Sequence, residues 1–269
     1  MEMYFCPLYS GSSGNALFLQ AGKTRLLIDA GKTGSCISAA LEKIGVAPET
    51  LSGVLITHEH SDHILGAGVM ARKYHLPIFA TGETWRAMDG KIGKIPGDLI
   101  RTTQSGKSFW LGDIGVEPFS IPHDAADPVG YRLWGGRLSV STATDLGEFT
   151  ENVYSAVRGS TLVLLESNHD PELLRANPRY SAQLKARILG DHGHLSNAAC
   201  ADALLRLIGA GTKHVILGHL SAENNTPTLA QRVSETAMIR ENIRPGEDVE
   251  LQVALRDEVS SIFRLKETD

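Results

Sequence analysis

Short apolar or β-branched runs recur along the chain, over 4–8, 16–19, 24–29, 53–56, 77–80, 116–121, 129–134, 137–141, 161–165, 214–217, 249–255 and 261–265. Each is bounded by turn-forming residues and reads as a strand. Between them the spacing of apolar positions predicts helices over 36–44, 61–74, 171–175, 181–189, 197–208 and 229–240, with a short one near Trp85. In 61–74, Ile64, Leu65, Val69 and Met70 recur at roughly helical spacing, and Ser61 is placed to cap the first turn. Some strands follow one another through turns such as Ala21-Gly22-Lys23 and Gly135-Gly136, while others are separated by helices. That mixture predicts an α/β (α+β) chain.

Composition narrows the class. With 269 residues and 42% hydrophobic content the chain is large enough for a full core, and a single domain over 1–269 is expected. No stretch approaches the roughly 18 apolar residues of a membrane span, and the N-terminus lacks a basic region followed by an apolar run. A soluble, cytoplasmic protein is expected. Cys6, Cys36 and Cys200 are odd in number and widely separated, which indicates buried thiols and neither a disulfide framework nor a Cys-rich zinc site. The formal net charge of −5 argues against a broad basic nucleic-acid surface. Two bound divalent ions would add about four positive charges locally, so overall charge does not settle the substrate.

Candidate chemistry concentrates in Thr57-His58-Glu59-His60-Ser61-Asp62-His63, directly after the apolar run Gly53-Val54-Leu55-Ile56. A core strand needs apolar side chains and a turn needs Gly, Pro, Asn or Asp, so donors packed this tightly point to a cation rather than to a solvated His-rich turn. His58 and His60 project to the same side of an extended segment. Asp62 and His63, opening a helix, diverge by about 100° and need not serve the same atom. Two ions are the more natural reading.

The pattern His-x-His-x-Asp-His after a short strand resembles the metallo-β-lactamase-fold hydrolases. The resemblance implies a four-layer αββα sandwich and further ligands at later strand ends, met here by His123, Asp145 and His219, in order. It implies that His58, His60 and His123 bind one ion, that Asp62, His63 and His219 bind the other, and that Asp145 bridges them. An Asp at the end of the strand 24–29, such as Asp29, supports the His-rich loop in that fold; a turn or N-cap role is the alternative. The chemistry implied is hydrolysis by a hydroxide shared between two ions, with Asp62 as a catalytic ligand. Zinc or manganese suits these donors best, and iron is the third candidate.

Glu166 to His169, His194-Leu195-Ser196 and His219-Leu220-Ser221 resemble elements of the nuclease branch that includes tRNA 3′-processing enzymes. By that resemblance His194 contacts phosphate or protonates the leaving oxygen, assisted by Ser196; the plainer reading makes Ser196 a helix cap and His194 a loop residue. The loop Ser10-Gly11-Ser12-Ser13-Gly14-Asn15 is either a plain loop or an anion contact through Ser12, Ser13 and Asn15. Asn168, His169 and His192 complete the candidate substrate contacts, and Arg175, Arg179, Lys185 and Arg187 form a groove or a solvated face. Ser12 to Asn15, His123-Asp124-Ala125, Thr144 to Gly147, Ser167 to Asp170 and Gly193 to Asn197 resemble the YycJ/WalJ group most. That implies a bacterial DNA exonuclease acting from 5′ ends, with nucleic acid as partner. A small-molecule phosphodiesterase for cyclic phosphates and an iron-dependent oxidoreductase are the competing readings.

Overall fold

A computed structural model describes residues 1–267. Among them the strands make two seven-stranded sheets, and the chain divides into two compact units. The first unit comprises residues 1–119, 125–138 and the segment from Leu255 onward; the second comprises 120–124 and 139–254.

The first unit holds β1 (Glu2–Tyr9), β2 (Ala16–Ala21), β3 (Thr24–Ile28), β4 (Gly53–Leu55), β5 (Ile78–Thr81), β6 (Ile100–Thr103), β7 (Phe109–Leu111), β8 (Ile114–Ser120), β9 (Val129–Gly135) and the last strand, Phe263–Lys266. Its helices are α1 (Gly34–Lys43), α2 (Ser61–Ile64), α3 (Ala67–Tyr74) and α4 (Gly82–Met88). One complete sheet runs in the order Phe263–Lys266, β1, β2, β3, β4, β5, β6. Pairing is antiparallel up to β3 and parallel from β3 to β6. Parallel neighbours need crossover connections, which α1, α3 and α4 supply, and their C-terminal ends share one edge. Leu27, Val54, Ile56 and Ile78 from this sheet, with Ile37, Leu41, Met70 and Ala71 from the helices, belong to one buried apolar cluster. The C-terminal edge is where Asp29 and the segment 57–63 emerge.

The second unit holds β10 (Leu138–Ala143), β11 (Leu162–Glu166), β12 (His214–Gly218) and β13 (Glu250–Val253), with helices α5 (Glu151–Val157), α6 (Pro171–Ala176), α7 (Ala182–Leu189), α8 (Asn197–Gly209) and α9 (Pro227–Arg240). All four strands are parallel, so Asp145, Glu166 and His219 leave from one edge as well. β11 is buried throughout, as a parallel strand covered on both faces must be.

Three expectations need correction. The helix expected over 61–74 is two helices, α2 and α3, and its first cap position is His60 rather than Ser61. The carbonyls of Asp62 and His63, which a continuous helix would use, accept instead from the amides of Asn15 (2.8 Å) and Ala30 (2.7 Å). Gly66 turns its own amide to the Ala30 carbonyl (2.8 Å). As a result Leu65 and Val69 are exposed, while Ile64 and Met70 are buried. Cys36 is exposed on α1, whereas Cys6 and Cys200 are buried. The apolar pattern also gave no sign of β6, whose residues are mostly exposed, or of the short helix α5.

Candidate metal and catalytic site

In the first unit β4 delivers Thr57 to His63 at the sheet edge. Asp29 organises them: Oδ1 accepts the Thr57 amide (2.8 Å), while Oδ2 accepts the Thr57 hydroxyl (2.9 Å) and lies 2.8 Å from His63 Nδ1. A carboxylate only accepts, so the His63 proton sits on Nδ1 and Nε2 keeps its lone pair. The Asn15 amide nitrogen, 3.0 Å from Nε2, agrees with that tautomer. His58 Nε2 lies 3.1 Å from His60 Nδ1, and the His58 and His63 rings are 4.0 Å apart. Asp62 Oδ2 is 3.5 Å from His63 Nε2. Four predicted ligands of this unit, His58, His60, Asp62 and His63, are therefore brought together.

The second unit gathers the others. Asp145 Oδ2 is 2.9 Å from His219 Nδ1, and Asp145 Oδ1 is 3.9 Å from His123 Nε2. His123 Nδ1 faces the Gly193 carbonyl at 3.2 Å. Glu166, fully buried at the end of β11, opens the segment 166–169 that resembles the nuclease branch in sequence, but the sequence alone assigned it no role. Its Oε1 is 2.8 Å from His194 Nδ1, and its Oε2 accepts the amides of Leu146 (2.9 Å) and Leu195 (3.3 Å). Donor atoms of Asp145, Glu166, His194 and His219 all lie within 4.8 Å of one another. Burial lowers the His123 pKa. Burial also opposes the charged form of His219, but Asp145 and then Glu166 outweigh it and raise the pKa. Asp29, Asp145 and His219 all have left-handed backbone, with φ of 59°, 59° and 54°. For residues other than glycine that conformation costs on the order of 1–3 kcal/mol, and it is common at functional sites.

The expected substrate contacts are scattered. Ser12 is exposed, and the Ser13 hydroxyl donates to Asp257 (2.8 Å). Asn15 faces Asp62 and His63, with its side-chain oxygen taken by the Gly11 amide (3.0 Å). Asn168 is buried and donates to the His219 carbonyl (2.9 Å), which steadies a residue held in left-handed backbone. Ser196 caps α8 by accepting the Ala199 amide (3.2 Å). His192 is exposed, and His169 is buried with its pKa lowered to about 4 by desolvation. Arg175, Arg179 and Arg187 are paired with Glu172, Glu223 and Asp124, and Lys185 donates to the Arg175 carbonyl. Those four cations read as a solvated face, not a groove.

Sequence and structure comparisons place the chain. A profile described as Beta-lactamase superfamily domain matches residues 24–220, and the chain belongs to that superfamily of hydrolases. Two bacterial proteins within it are similar over nearly their full length. The chain is 42% identical over 243 residues to exodeoxyribonuclease WalJ of Streptococcus pneumoniae serotype 2, covering 90% of each protein. It is 39% identical over 251 residues to exodeoxyribonuclease YycJ of Bacillus anthracis, covering 93% of this chain and 95% of the other. The crystal structure of the metallo-β-lactamase fold protein YhfI from Bacillus subtilis matches with a TM-score of 0.70 at 16% identity, covering 98% of this chain and all of that one. The fold is accordingly the metallo-β-lactamase α/β sandwich, two mixed sheets flanked by helices.

Proposed function

We propose that the chain is a dinuclear metal-dependent phosphodiesterase, specifically a DNA exonuclease acting from 5′ ends in the cytoplasm. The observation that carries the reading is similarity over at least 90% of the chain to two proteins named exodeoxyribonucleases, joined to three groups of imidazole or carboxylate donors. Those donors fit zinc or manganese. On this reading His58, His60 and His123 hold one ion, Asp62, His63 and His219 the other, and Asp145 is shared. Ions held there would supply an acidified water as nucleophile and offset charge on the attacked phosphate. Asp29 and Glu166 hold His63 and His194 by their Nδ1 atoms, the usual way a protein orients imidazole ligands and proton donors. His194 passes a proton to the leaving oxygen, and Asn168 keeps the strained His219 in place.

The test is product analysis on end-labelled DNA and RNA strands with added manganese or zinc. Mononucleotides released from one end, absent with Asp145→Ala, are expected. His194→Ala should lower kcat by about 10² to 10⁴ while bound metal is retained. The net charge of −5 favours one competitor, a small-molecule phosphodiesterase. Hydrolysis of a small cyclic diester by a metal-loaded protein that leaves every polymer intact would establish it instead.

A further inference from the structure

Helix α4 and edge strand β6 enclose a groove of about 610 Å³, lined among others by Trp85, Arg86, Asp89, Lys94, Ile95 and Ile100. The surrounding segment, 72–107, carries seven Lys or Arg against three Asp or Glu, a local excess of four positive charges in a chain whose net charge is −5. Arg86 is paired with Glu83. Arg101 donates to the carbonyls of Asp98 (2.8 Å) and Ile100 (2.9 Å), and Lys91 and Lys94 are exposed. The groove wall is held rigid. Trp85 Nε1 donates to the Arg101 carbonyl (3.0 Å), and Arg72 donates to the carbonyls of Ile92 (2.9 Å) and Lys94 (3.3 Å).

Strand polarity fixes where this groove lies relative to the histidines of the same unit. β4, β5 and β6 are parallel neighbours, so the segment 57–63 after β4 and the first turn of α4 after β5 start from the same sheet edge, and α4 then runs back so that Lys91, Lys94 and Ile100 lie toward the opposite edge, farther along the groove. One loop ties the two together. The Asp127 carbonyl accepts from the hydroxyls of Thr81 and Thr84, both at 3.3 Å, and Glu59 Oε1 accepts the Ala126 amide at 3.0 Å. An aromatic and apolar wall with the exposed Lys94 in its lining and the exposed Lys91 three residues before it is what an unpaired strand needs, its bases stacking on rings and its phosphates meeting positive charge. A base-paired duplex would hide the bases and leave the apolar wall unused.

We propose that the groove between α4 and β6 binds single-stranded nucleic acid, gripping the strand beyond the nucleotide being cleaved. The proposal rests on the nuclease reading and extends it by assigning a strand-binding surface outside the donor clusters. Lys91→Glu/Lys94→Glu, both on an exposed loop, is the variant of choice, with unchanged melting temperature as the folding control. Anisotropy of a fluorescent phosphorothioate 20-mer, measured with manganese-loaded protein, reports binding apart from turnover. The variant should bind roughly tenfold or more weakly, and its slope of log affinity against log salt should fall by about 1.4, two contacts at about 0.7 each. Hydrolysis of bis(p-nitrophenyl) phosphate should be unchanged. Equal affinity and equal salt slope in variant and parent would overturn the groove even if the parent degrades DNA. A parent that binds the strand through these lysines yet cleaves no phosphodiester would overturn the nuclease reading and leave the groove standing.

Discussion

His169 is 1% exposed, and among the described residues neither of its ring nitrogens has a hydrogen-bond partner. Burial holds its pKa at about 4, against an ordinary value of 6.5. Between those pH values the unfolded chain binds a proton that the native ring refuses, so stability present above pH 6.5 is lost as pH falls toward 4. Urea unfolding should show the parent losing about 3 kcal/mol more than His169→Leu between pH 7 and pH 4. Single residues were unevenly readable in the sequence. His58, His60, Asp62, His63 and Asp145 stand out because donors follow apolar runs where nothing structural asks for them. The part played by Asn168 was hidden, since its partner, the His219 carbonyl, lies 51 residues away and any polar side chain in a loop looks like a substrate contact.

At the scale of elements, the site depends on a close approach between two loops. The Gly31 amide donates to the Asn15 carbonyl (2.7 Å), while the Asp62 and His63 carbonyls accept the amides of Asn15 and Ala30. Gly31 allows this, because a Cβ there would lie 1.6 Å from the Asp62 carbonyl oxygen. Gly31→Ala should therefore cost about 3 kcal/mol or more and displace Asp62 and His63. Calorimetry should show a lowered Tm, and metal analysis a reduced manganese or zinc content. The elements themselves were largely legible. The boundary between α2 and α3 was not, because local spacing supports one helix, and only contacts with residues 15 and 30 break its hydrogen-bond ladder. β6 escaped for a different reason: an exposed edge strand has no apolar face to announce it.

On the scale of the whole molecule, two parallel arrays of strands each deliver donors from their C-terminal edge, β3 and β4 in one unit and β10 to β12 in the other. The order of those donors along the chain was readable. Their carboxylate supports were harder to assign, since Glu166 reaches His194 across 28 residues. Clusters of buried carboxylates and imidazoles repel or strand one another without a cation, so ions should bind the native state far better than the unfolded chain. Manganese or zinc at 100 times its dissociation constant should add about 2.7 kcal/mol, and prolonged chelation should lower Tm, with recovery on adding metal back. Among the described residues no helix is long and apolar enough to cross a membrane. The left-handed conformation of Asp29, Asp145 and His219 has a practical consequence for engineering. Asparagine or glycine would sit at these positions with less backbone penalty, and Asp145→Asn also removes a buried negative charge. If the proposed site is right, a library selected by heat alone would drift toward such replacements and accumulate sturdy, inactive proteins, so any campaign to toughen this chain must screen for turnover in every round.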